Sequence, residues 1–67
     1  MSMVFLTKLN DSKILLNLDN VKYIEETPDT MIFFLNGESI IVKEKMELIQ
    51  KNVAEFEANV LHRAQNS

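Results

Sequence analysis

The 67 residues contain no cysteine, which excludes disulfide staples and thiolate zinc sites. The single histidine, His62, excludes a multi-histidine metal centre. Gly37 is the one glycine, so no glycine-rich loop is present to cradle a phosphate. No apolar run approaches the roughly 20 residues of a membrane span. The opening Met1-Ser2-Met3-Val4 lacks the basic and long apolar segments of a signal peptide. Positive charge is also short. Seven Lys and Arg against ten Asp and Glu leave a net charge of −3, the wrong long-range field for nucleic acid or an anionic membrane. These absences imply a cytoplasmic protein that binds no metal, nucleotide or redox cofactor and no nucleic acid.

What is present suits a folded chain. Hydrophobic residues make up 46% and charged residues 25%, as in globular rather than disordered sequences. The length allows one domain over residues 1–67. A chain this short buries only about 60% of its extended surface, so an isolated monomer is marginal. With disulfides and metals excluded, the staple left by elimination is another copy of the chain.

Turn chemistry divides the first two thirds into strands. Asn36-Gly37 lies between Met31–Leu35 and Ser39–Val42, and predicts a type I′ hairpin. Thr27-Pro28-Asp29-Thr30 is a second turn, in which proline presets φ and Asp29 or Thr30 bonds back to the backbone. Asn10-Asp11-Ser12 is a third, and Leu18-Asp19-Asn20 is a short connection. After Val42 the period changes. Met46, Ile49, Val53, Phe56 and Val60 recur by three and four, and polar residues fill the other face. No Ser, Thr, Asp or Asn marks the helix start, which is placed at Lys43–Lys45. The expected fold is α+β: an antiparallel meander sheet of about five short strands over about residues 4–42, then one long C-terminal helix over about 44–64.

Two features of this pattern bear on function. Several strands are apolar on both faces: Ile32 and Phe34 oppose Met31, Phe33 and Leu35, Ile40 and Val42 oppose Ile41, and Ile14 and Leu16 oppose Leu15. One helix covers one face, so the other needs a partner or a barrel closed on itself. The helical stripe also outruns its sheet. About 20 residues span roughly 30 Å, whereas a five-residue strand spans about 17 Å. Val53, Phe56, Val60 and Leu61 are therefore the expected interface between copies, together with the uncovered sheet face.

The residues that could carry chemistry are sparse. His62 has no carboxylate at position 58 or 59 to orient it and reads as a solvated tail residue. Glu25 and Glu26 are adjacent on a strand and point to opposite faces, so with Asp29 they form a charged edge rather than a cation or acid–base site. Lysines 8, 13, 22, 43, 45 and 51 are scattered, and Tyr23, which could stack a base, has Asp19, Glu25 and Glu26 nearby. No nucleophile–base pair is present, so the chain reads as non-enzymatic.

A run of short segments is nonetheless distinctive. Leu6-Thr7-Lys8-Leu9-Asn10, Leu16-Asn17, Ile24-Glu25, Thr27-Pro28-Asp29-Thr30, Asn36-Gly37 and Val42-Lys43-Glu44 occur in this order. In these the chain resembles the flagellar FlbD family, also called the SwrD swarming-motility family, over about residues 3–53. It departs at Asp11, where the family usually has glycine, at Phe5, often polar, and at Lys45, often a small hydroxyl residue. The resemblance implies a non-enzymatic cytoplasmic accessory of the flagellar motor that supports motor power or torque through protein contacts. It supplies no catalytic site and no mechanism. The Thr27, Pro28, Asp29 and Thr30 turn, its most specific segment, reads either as a backbone device, rigid through Pro28, or as a partner contact. The alternative from another class is a small β-rich nucleic-acid-binding regulator of flagellar genes.

Overall fold

The computed structural model describes the backbone of residues 2–66 and the side chains of residues 2–59. Among the described residues, strands β1 (Met3–Thr7) and β2 (Lys13–Asn17) are followed by a 3-10 turn at Leu18–Asn20. Strands β3 (Val21–Glu26), β4 (Thr30–Phe34) and β5 (Ser39–Val42) precede helix α1 (Met46–Asn66). The fold is α+β with antiparallel strands throughout, as the alternation and turn residues imply.

The expected single meander divides into two sheets, β1-β2 and β3-β4-β5. The 3-10 turn interrupts the ladder between β2 and β3, with Asn17 Oδ1 accepting the Asp19 N–H. The chain rejoins at its other end. Lys8 bridges to Val42, and the Lys43 N–H donates to the Thr7 carbonyl at 2.8 Å. The end of β1 thus lies beside the end of β5, and the two sheets curl around a shared interior.

Two hairpin turns use one design. Lys8-Leu9-Asn10-Asp11-Ser12 and Phe34-Leu35-Asn36-Gly37-Glu38 each close by a bond from the first N–H to the last carbonyl, at 2.9 Å in both. In each, the Asn Oδ1 accepts the N–H two residues on. The fourth residue is left-handed in both, Asp11 at φ 69° and Gly37 at φ 91°. This corrects the expected type I′ turn. Asn36 does not take positive φ, and the three-residue loop ends in one left-handed residue that widens the ladder. The departure from glycine at position 11 also acquires a physical meaning. Aspartate is among the few side chains tolerated there, and its carboxylate pairs with the Lys43 ammonium.

The core is the inner face of both sheets closed by α1. Val4, Leu6, Leu16, Ile32, Val42 and Ile49 are buried, and Ile14, Leu18, Ile24, Phe34, Ile40 and Val53 pack around them. Ile24, Ile32 and Ile40 are cross-strand neighbours, which puts Ile32 at the centre of the three-stranded sheet.

The helix begins at Met46, later than the expected start at Lys43–Lys45. Two carboxylates explain the shift. Glu44 is diverted to β1, where it accepts the Thr7 N–H at 2.9 Å and the Thr7 hydroxyl at 2.8 Å. Glu26, at the end of β3, accepts the Met46 N–H at 2.8 Å and so supplies the cap that the local sequence lacks. The Lys45 carbonyl accepts the first helical bond, from the Ile49 N–H.

Candidate functional site

The Thr27–Thr30 turn joins β3 to β4 against the start of α1. The Thr27-Pro28 peptide is cis, and the Thr27 N–H donates to the Asp29 carbonyl at 3.2 Å. Lys45 Nζ lies 3.5 Å from the Pro28 carbonyl oxygen, beside the Glu26 cap. The four expected contact residues separate here. Thr27, Pro28 and Asp29 are exposed, whereas Thr30 is 2% exposed and pairs with Val42 inside the sheet. A contact at this turn therefore falls to the first three.

The Thr30 hydroxyl finds no hydrogen-bond partner among the described residues. Threonine to valine keeps the branched shape and removes a buried, unpaired polar group. Thr30→Val is expected to raise stability by about 1 kcal/mol, read from the urea midpoint. A lower midpoint would mean that the hydroxyl is engaged in the folded protein.

The outer face of β1 and β2 carries two large exposed apolar side chains. Phe5 and Leu15 are cross-strand partners, 68% and 52% exposed. Phe56, half-buried on α1, lines a shallow groove with both of them and with Met3. Of the four residues expected between copies, Val53 instead packs on the chain's own core, and Phe56 joins this outer patch. The side chains of Val60 and Leu61, like that of His62, lie outside the described residues.

A second groove runs along the other flank of the helix, between α1 and β3. Leu18, Ile24 and Val53 are among the apolar residues that line it, and Glu26, Glu47 and Glu57 are its carboxylates. Its carboxylates come from strand and helix positions far apart in the chain, so no local spacing announces it. The Glu44 bond to Thr7 and the Glu26 cap were hidden for the same reason, with partners 37 and 20 residues away.

No group of three or more metal-ligating side chains occurs among the described residues. No helix among them is long and apolar enough to cross a membrane. The surfaces offer apolar contact bordered by carboxylates, which is chemistry for binding. The family model for FlbD, described as flagellar and swarming motility proteins, matches residues 3–61. Neither the curated proteins nor the solved structures include a match to this chain.

Proposed function

The chain belongs to the FlbD family of flagellar and swarming motility proteins, and from that premise we propose that it is a non-enzymatic cytoplasmic accessory of the flagellar motor. On this reading it supports motor power or torque through protein contacts, and works as a homo-oligomer. The observation that carries the reading is the outward Phe5–Leu15 pair beside Phe56. Isolated exposed apolar residues need no explanation, but a cross-strand pair continued by a helix phenylalanine is the form an interaction surface takes.

A second copy packed on this face covers the sheet surface that α1 leaves open. Burying each large side chain contributes about 1.5–3 kcal/mol, which adds to the stability of a 67-residue chain without staples. A symmetric dimer is the default arrangement. Nucleic-acid binding draws no support from the acidic charge balance or from the carboxylates along α1.

Light scattering at micromolar concentration is expected to give a dimer or higher oligomer. Phe5→Lys combined with Leu15→Lys is expected to give a folded monomer, since both side chains are already exposed. Phe56→Glu is expected to weaken association as well. In a strain lacking the chain, wild type restores swimming and swarming, and the double lysine variant does not. A wild-type monomer at micromolar concentration overturns the self-association. Undiminished motility without the chain overturns the accessory role.

A further inference from the structure

We infer that the groove between α1 and β3 is a docking site for an amphipathic helix of a partner protein, with basic residues flanking its apolar stripe. The inference rests on the protein-contact reading above and names the kind of partner that reading leaves open. The groove has about 820 Å³ of space. Its apolar floor includes Leu18, Ile24 and Val53, each only half-buried by the chain itself. Glu26, Glu47 and Glu57 line it, and among the described residues no lysine or arginine does.

Charge specifies the occupant, and the described part of the groove sets its least length. Among the described residues, Met46 and Glu57 are the outermost groove residues on α1. At 1.5 Å per residue they stand about 17 Å apart, the length of three helical turns. An added β-strand is disfavoured. The register shift between Val21 and Tyr23 distorts the edge of β3, and Glu25 and Glu26 place charge along it. A second copy of α1 is disfavoured too. Over residues 46–59 that helix carries Glu47, Glu55 and Glu57 against Lys51, so self-docking sets carboxylates against carboxylates. An apolar stripe flanked by lysine or arginine meets the floor with one part and the rim with the other. This flank lies on the far side of the Ile49 and Val53 stripe from Phe56. The groove and the proposed interface between copies are therefore separate surfaces.

The probe is an 18-residue labelled peptide of leucine and lysine, patterned as an amphipathic helix, with a leucine–glutamate peptide of the same pattern as control. Fluorescence anisotropy is expected to show salt-dependent binding of the lysine peptide only. Amide shifts in NMR spectra of the labelled protein are expected at Leu18, Ile24, Val53 and Ala54. Glu47→Lys combined with Glu57→Lys, at exposed positions, is expected to weaken binding at least tenfold with an unchanged circular dichroism spectrum. Ala54→Trp, which fills the groove without changing charge, is expected to weaken it similarly. The proposal is overturned by no binding, by equal binding of the two peptides, by shifts confined to Phe5 and Leu15, or by undiminished binding to either variant. Loss of motility on deleting the chain, with full rescue by the Glu47→Lys, Glu57→Lys variant, leaves the accessory role standing and removes the groove from it.

Discussion

Replacing Ile32 with alanine is expected to cost about 2–5 kcal/mol, because the side chain lies at the centre of the core and the surroundings cannot fully collapse into the space. Ile32 is 0% exposed, sits on the central strand β4, and has Ile24 and Ile40 on either side. A domain of this size holds on the order of 5 kcal/mol in total. Most of the Ile32→Ala protein is therefore expected to be unfolded or close to it, as read by urea denaturation followed by circular dichroism. A wild-type urea midpoint would show that the interior is not closed around β4. The comparison also calibrates the functional variants. Ile32→Ala is expected to lose motility together with protein abundance, whereas Phe5→Lys with Leu15→Lys is expected to lose it with abundance intact.

Local pattern carried most of the architecture. Alternation alone set Ile32 and Phe34 on one face and Met31, Phe33 and Leu35 on the other. The structure buries the first, packs the second on the core and leaves Leu35 exposed. The stripe at three and four spacing located α1, and Ile49 and Val53 are the residues it turns inward. Turn residues marked both hairpins, but not the conformation at Asn36, because Asn-Gly also suits a three-residue loop ending in a left-handed glycine. The joining of the two sheets at their far end depends on the Lys8–Val42 bridge, a pairing 34 positions apart that no local window contains. The helix start was unreadable for a related reason, since its cap is a glutamate on another strand. Both candidate surfaces follow this division. The Phe5–Leu15 face is half legible from alternation, and the acidic groove appears only when β3 and α1 are brought together.

Glu44 shows how such distant contacts matter for stability, and its removal is the second large effect expected. Its carboxylate accepts both the backbone N–H and the hydroxyl of Thr7, fastening β1 to the segment that leads into α1. Partial burial acts to raise its pKa. The two bonds from Thr7, its own backbone N–H and the charge of Lys13 together outweigh that, and the carboxyl is held below the ordinary glutamate value. Glu44→Ala leaves the Thr7 donors without this partner and is expected to cost about 2 kcal/mol near pH 7, as a lower urea midpoint. The sign of the pH dependence follows from the lowered pKa. The ionised form is favoured in the folded chain, so its contribution is complete above the ordinary glutamate value and is lost as pH falls through the folded one. The gap between wild type and Glu44→Ala is therefore expected to be widest at neutral pH and to narrow on acidification through the carboxylate range. A gap that stays constant with pH would mean that the carboxylate's charge adds nothing to the Thr7 contact, and that a neutral acceptor at position 44 holds β1 equally well.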